Sequence, residues 1–415
     1  MDEERRLYPF RLCTLQDDYP WGSEEFSLAD LGYRDSLVRE GWLAGNSLSE
    51  LMDTYLDRVV GDGVYEFYGR QFPLCVRHLT CRGRMPLRVH PDDETAAQRY
   101  DFLGKEKLWY VLRAGAGARI LAGFRRDTDA SEFYAKCLDG SVEDILNVVA
   151  PHAGQALRIP AGTPHAASGD VEILEIGESS PLDFCLCGWG EEVHPDEFDT
   201  ALTLVDALDF IDYRQFRHPA PSSGHSGLSF SHSGPSASHS GLDPESPPPG
   251  TSSGFPGAEP LATLPQLHVE RLPLTAPTQI SREAGPFLLY SCVRGAATVQ
   301  IPDGPAAPSA GPVLPAGASS ASSDGRQRLD VTLVPGETVL VPAEVLQFTL
   351  VPTERDTVLL ESTVIPRRHR PLHQPRRRPD PAGRRLTAPH IHTAVFRKSL
   401  ITNLIQNQPI HFSTG

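Results

Sequence analysis

Apolar positions along the chain follow two periods. Leu48, Leu51, Met52, Tyr55, Leu56 and Val59 recur at helical spacing behind the capping box Ser47-x-x-Glu50, and Gly61 is the expected stop. A second amphipathic helix is predicted over residues 130–149. Short β-rich runs bounded by Gly and Pro predict strands at 72–79, 108–112, 118–121, 156–159 and 171–176. Beyond residue 264 the pattern is almost purely β, with strands expected at 268–272, 287–293, 297–301, 329–333, 338–341, 348–351 and 358–364. Many short strands with few helices predict a mainly β fold of two jelly-roll units, with helices appended to the N-terminal half.

Composition divides the chain further. Residues 217–263 are rich in Ser, Gly, Pro and His, with His225, His232 and His239 seven apart, and are expected to form a disordered linker. The first domain is therefore placed at 1–216 and the second at 264–366. A low-complexity insert at 302–324 interrupts the second. Residues 367–386 hold eight arginines among prolines and read as an extended connector, with a polyanion contact as the other reading. Helical spacing of Val395, Ser399 and Leu400 in the tail at 387–415 would let it dock on the second domain.

Charge and cysteine content narrow the function classes. A formal net charge of −15 disfavours nucleic acid and anionic membranes as partners of the whole chain. No apolar run approaches the roughly 18 residues of a membrane span, and the N-terminal residues carry no secretion signal, so the cytoplasm is the expected compartment. Seven scattered cysteines without a C-x-x-C pair argue against a disulfide framework or a thiolate zinc site.

Two spacings carry candidate chemistry. Gly154-x5-Pro160-x-Gly162-x2-His165 ends one strand, turns the chain and presents a histidine, which is the second half of the cupin signature. Arg88-Val89-His90-Pro91-Asp92-Asp93-Glu94 stands where the first half belongs, with positions 88 and 90 on one strand face. His90 and His165 are candidate ligands of one divalent ion. Gly336-x5-Pro342 repeats the turn but places Gln347 where His165 stands, so the second unit reads as a metal-free duplicate.

Leu7-Tyr8-Pro9-Phe10, Phe72-Pro73-Leu74, Val89-His90-Pro91-Asp92-Asp93-Glu94, Leu103-Gly104-Lys105, Trp109-Tyr110, Ile159 through Ala166, and Leu174-Glu175-Ile176 with Glu178-Ser179-Ser180 resemble the class I mannose-6-phosphate isomerases, especially the short bacterial type. The resemblance runs over about residues 7–190, and 285–366 is similar to that family's second cupin half. It implies a bicupin zinc enzyme that interconverts mannose 6-phosphate and fructose 6-phosphate, a phosphorylated hexose as ligand, and a metal-assisted proton transfer between C1 and C2. Carried over residue by residue, it implies His90 and His165 as zinc ligands and Lys105 as the catalytic lysine. It also puts Arg88 at a Gln ligand position, Lys107 at a Glu ligand position and Cys185 at the position of a catalytic Arg. Neither Arg88 nor Lys107 offers a cation a lone pair while charged.

Glu106, next to Lys107, is the expected substitute ligand if the strand bulges, and Glu94 and Glu175 are further candidates. Arg82, Arg84, Arg88, Lys105 and Lys107 are the candidate phosphate contacts by charge. Three readings follow: a zinc-dependent isomerase, a bicupin that binds a sugar phosphate or a protein partner without turnover, and a cupin using His90, Glu94 and His165 to hold iron or manganese.

Overall fold

The computed structural model describes residues 5–189, 204–217, 255–302 and 330–365. The connector at 367–386, the tail, the insert from residue 303, the three repeated histidines and most of the expected linker lie outside these residues. Four antiparallel sheets pair into two jelly-roll barrels. In the first barrel one sheet runs Leu15–Tyr19, Gly22–Leu28, Leu74–Cys81, Val171–Glu178, Lys107–Ala114, Ala156–Ile159. The other runs Phe184–Cys187, Leu87–Val89, His165–Ser168, Arg119–Phe124, Leu146–Val149.

The second barrel pairs a sheet of Phe10–Arg11, Thr338–Val341, Leu288–Arg294, Thr357–Thr363, Leu267–Leu274 and Glu259–Leu264 with one of Thr278–Ser281, Gln347–Pro352, Ala297–Gln300 and Val331–Leu333. The expected cupin-type, mainly β architecture is therefore observed in both halves. Glu259–Leu264 departs from expectation, because it lies in the segment read as linker. Its side chains are mostly half-buried and it edges the sheet beside Leu267–Leu274, a role that needs little hydrophobicity.

Two helical expectations are corrected. The first helix does not run unbroken to Gly61: Leu48–Tyr55 ends at Leu56, whose φ is 50°, and short helices Asp57–Val60 and Asp62–Tyr68 follow. The break has a destination, since the carbonyls of Arg58, Val59 and Val60 accept hydrogen bonds from the backbone N–H groups of Glu344, Ala343 and Phe287 in the second barrel. The second helix, Ala130–Asp139, stops at Gly140 in the left-handed region, and Leu146–Val149 is a strand instead.

The apolar content divides accordingly. Trp21, Leu79, Trp109, Val111, Ile120 and Ile173 fill one part of the first barrel, whereas the second barrel is filled by apolar side chains such as Leu288, Val299, Val341 and Phe348. Gln347 is exposed at the start of its strand. A third cluster joins the helices to the second barrel, with the Phe72 and Phe287 rings 4.6 Å apart.

Candidate functional site

The first barrel brings its two signature histidines together. Leu87–Val89 leads into His90, and His165 opens its own strand opposite Arg88. The turn between strands holds the pair in place, because the Gly162 N–H donates to the His90 carbonyl at 2.8 Å. Gly162 has a φ of 76°, and a Cβ there would stand 2.7 Å from the Phe210 carbonyl oxygen, so the turn requires glycine. Both imidazoles are fully buried with ring centroids 5.1 Å apart.

Their hydrogen bonding differs. His165 Nδ1 lies 2.9 Å from the Thr163 carbonyl, which assigns the proton to Nδ1 and leaves Nε2 as an inward-facing acceptor. Neither ring nitrogen of His90 has a hydrogen-bond partner among the described residues. Burial, reinforced by the charge of Lys107, pushes His165 down to about 3 and His90 well below the usual histidine range.

Lys107 occupies the middle of the site. Its fully buried ammonium is 3.4 Å from His165 Nε2, 3.2 Å from Asp183 Oδ1 and 3.6 Å from Glu175 Oε2. Strand alternation puts Trp109 on the same inward face. Its indole stands edge-on to His165 with centroids 5.4 Å apart, and its Nε1 donates to Glu175 at 2.7 Å.

Ion pairs extend from this point. Arg77 reaches Glu175 at 2.7 Å, Glu24 at 2.8 Å and Asp183 at 3.3 Å; Arg88 reaches Glu24 at 2.8 Å, and Lys105 reaches Asp183 at 3.2 Å. Burial alone would raise these carboxyls. Arg77 and Lys107 nevertheless hold Glu175 far below the usual carboxylate range, and Lys105, Lys107 and Arg77 do so for Asp183. Burial lowers Lys105 to about 8 against the pull of Asp183. The network holds four cations and three carboxylates, so one positive charge is left over.

The expected carboxylate ligands lie elsewhere. Glu106 turns away from the histidines, accepting from Arg158 Nε at 3.1 Å and from the Ala161 N–H at 3.4 Å. It precedes Lys107 on the strand and no bulge brings it inward, so alternation gives the inward place to the lysine. Glu94 is exposed on the helix Asp93–Tyr100 and accepts from Gln98. Glu175 does enter the barrel, but as the partner of Arg77, Trp109 and Lys107.

Among the described residues, no group of three or more His, Cys, Asp and Glu side chains is placed to hold a metal ion. The donor set does not fit zinc. Two imidazoles face an ammonium that already spans the carboxylates, and Arg88 points into the same barrel. Of the candidate phosphate contacts, Lys105 and Lys107 join the site with Arg88, whereas Arg84 stacks on Trp189 and pairs with Glu143.

Sequence reasoning missed Glu24, Arg77 and Asp183. For Arg77 the available signal was a lone charge within an apolar strand run, Leu74-Cys75-Val76-Arg77. Such a charge in a two-sided buried strand needs a buried partner, here supplied by Glu175 and Glu24 on the two neighbouring strands.

Comparisons with known proteins agree with this picture of the scaffold. No family model matches the chain. The mannose-6-phosphate isomerase of Streptococcus mutans is 30% identical over 153 residues, which is 36% of this chain and 45% of that protein. The chain spans about half the length of the curated relatives it matches. The solved mannose 6-phosphate isomerase of Bacillus subtilis superposes with a TM-score of 0.61 at 18% identity, covering 86% of this chain and 100% of that one. A zinc-bound mannose 6-phosphate isomerase structure gives 0.55 at 12% identity, with 86% and 100% covered. The chain is mannose-6-phosphate isomerase-like, resembling those proteins in sequence over about a third of its length and in fold over most of it.

Proposed function

We propose that the first barrel binds a phosphorylated hexose and does so without zinc. The observation that supports this reading most directly is the surplus positive charge of a buried network whose carboxylates are all engaged. Lys105 is the side chain suited to meet the ligand. Its ammonium carries three donors and has Asp183 as its one ion-pair partner among the described residues, whereas Lys107 is surrounded by Asp183, Glu175 and His165. His90, whose ring nitrogens have no hydrogen-bond partner among the described residues, supplies a neutral acceptor and donor for a sugar hydroxyl.

A second reading rests on the lowered pKa of the same lysine. A lysine near 8 is poised to exchange a proton at neutral pH, so metal-independent isomerisation through Lys105 is the alternative to binding alone.

One experiment separates the readings. Mannose 6-phosphate and fructose 6-phosphate are titrated calorimetrically into the full chain, with mannose as the uncharged control, and interconversion is assayed with and without zinc. Saturable binding of the phosphates and not of mannose, weakened about tenfold or more in Lys105→Met, is the expected result. Zinc-dependent turnover that disappears in His90→Ala/His165→Ala protein would overturn the metal-free reading. Zinc-independent turnover that disappears in Lys105→Met would establish the second.

Binding should also depend on pH. With Lys105 protonated below about 8, phosphate affinity is full there and falls as pH rises through that value. Calorimetric titration from pH 7 to about 9.5 reads this, and the decline should be absent in Lys105→Met.

A further inference from the structure

The donor set around His90 and His165 disagrees with a zinc site in one specific way. The position that a third ligand would take holds a cation. We infer that Lys107 is a resident cation that replaces a divalent ion in this barrel, supplying internally the positive charge that cross-links the two sheets. This rests on the placement of the site described above and not on the identity of its ligand.

Three contacts support the substitution. The Lys107 ammonium meets the Nε2 of His165, the nitrogen that Thr163 leaves unprotonated, at 3.4 Å. It reaches Asp183 at 3.2 Å, just before the strand Phe184–Cys187 of the second sheet, and Glu175 at 3.6 Å in the first sheet. A lysine on the first sheet thereby ties an imidazole and a carboxylate from the opposite side of the barrel to itself, as a metal would.

Among the described residues, the carboxylates of this network are already paired. Arg77 and Arg88 already neutralise Glu24, and Arg77 also engages Glu175 and Asp183. A divalent ion added to this set would raise a one-charge surplus to three in a buried interior, which is strongly unfavourable. Removing the ammonium reverses the situation. His165, Glu175 and Asp183 would then lack a cation they share, while His90 and His165 keep their nitrogens beside the two carboxylates.

The test uses the full chain and its variants. Wild-type protein purified in the presence of zinc should retain no stoichiometric metal by elemental analysis, and neither chelator nor added zinc should move its melting temperature. Lys107→Glu/Arg88→Gln should bind zinc roughly a hundredfold more tightly than wild type. Its cobalt-substituted form should show visible ligand-field bands that wild type lacks.

Lys107→Ala serves if the double variant does not fold, because zinc should raise its melting temperature and leave that of the wild type unmoved. One zinc per wild-type chain, lost with its stability on chelation, would overturn the inference. So would a folded Lys107→Ala or double variant that gains no affinity for zinc or cobalt. Failure of hexose-phosphate binding would leave these metal readouts unaffected, so the two proposals fail separately.

Discussion

Removing Arg77 would strip a shared partner from Glu24, Glu175 and Asp183 at once, within a region that water barely reaches. Leaving buried carboxylates without their guanidinium costs about 3–5 kcal/mol, so Arg77→Met should lower the urea midpoint by that equivalent. Arg77→Lys should recover only part, since one ammonium cannot span three carboxylates as a planar fork does.

The histidines predict the acid limb of stability. Both have folded pKa values below the ordinary 6.5, so the unfolded chain binds more protons there and the folded state loses stability as pH falls below that value. The carboxylates Glu175 and Asp183 add a loss in the same direction only below their ordinary values of 4.5 and 3.8. The melting temperature should therefore begin to fall near pH 6.5. In His90→Gln/His165→Gln the decline should start only near pH 4.5; an unchanged profile would remove the histidines from the account.

At the residue scale Arg88, His90 and His165 were legible from the spacing of a strand and a turn, whereas Lys105 and Lys107 were reached only through the resemblance to the isomerase family. Glu106 was placed by chemical preference for a carboxylate, and the strand's alternation ruled otherwise. Glu24 was hidden because a charge facing into a barrel has the same period-2 signature as one facing water, and Asp183 because it precedes its strand and no period applies to it.

Strands were legible where apolar residues stand at one or both faces. Ala156–Ile159 and Thr338–Val341 were read with their observed bounds, and Leu74–Cys81 and Val171–Glu178 to within two residues at each end. Leu15–Tyr19 was missed because it is a polar edge strand, Leu-Gln-Asp-Asp-Tyr, whose pairing with Gly22–Leu28 needs only backbone groups. The break in the first helix was hidden for a different reason. Its sequence remains helical in period, and only the competing backbone donors of the second barrel take the carbonyls of residues 58–60 out of the helix.

Two glycines measure that docking. Gly61 has φ 94° and ψ 148°, a region nearly closed to other residues, and a Cβ there would stand 2.6 Å from the Gly285 carbonyl oxygen across the contact. Gly140 has φ 77° and ψ 7°, with nothing within 4 Å of its added Cβ. Gly140→Ala should cost about 1–2 kcal/mol from backbone conformation alone. Gly61→Ala should cost more, about 3 kcal/mol or above, because strain and overlap add. Urea unfolding compares them, and equal losses would show that the helix break is not held by the second barrel.

At the scale of the whole molecule, the two barrels share a sheet, because the N-terminal strand Phe10–Arg11 leaves the first half of the chain to pair with Thr338–Val341. Leu7, Tyr8, Phe10 and Leu12 are buried with it, and Arg11 bonds Glu40, Glu337 and the Thr332 carbonyl. Four such side chains at roughly 1.5–3 kcal/mol each rival the entire stability of a typical domain. Removal of residues 1–12 should therefore lower the stability of the second barrel by several times the effect of Arg11→Ala, which loses partly buried ion pairs and should cost only about 1 kcal/mol.

The same pairing predicts the behaviour of the second barrel alone. Residues 255–365 would present Thr338–Val341 as an open edge flanked by apolar surface, the condition under which strands recruit other chains. That fragment should self-associate in size-exclusion chromatography, and a peptide of residues 5–13 added in excess should return it to a monomer. A fragment that stays monomeric without the peptide would mean that the N-terminal strand covers an edge which needs no cover, and would leave the burial of Leu7, Tyr8 and Phe10 as the whole reason for its position.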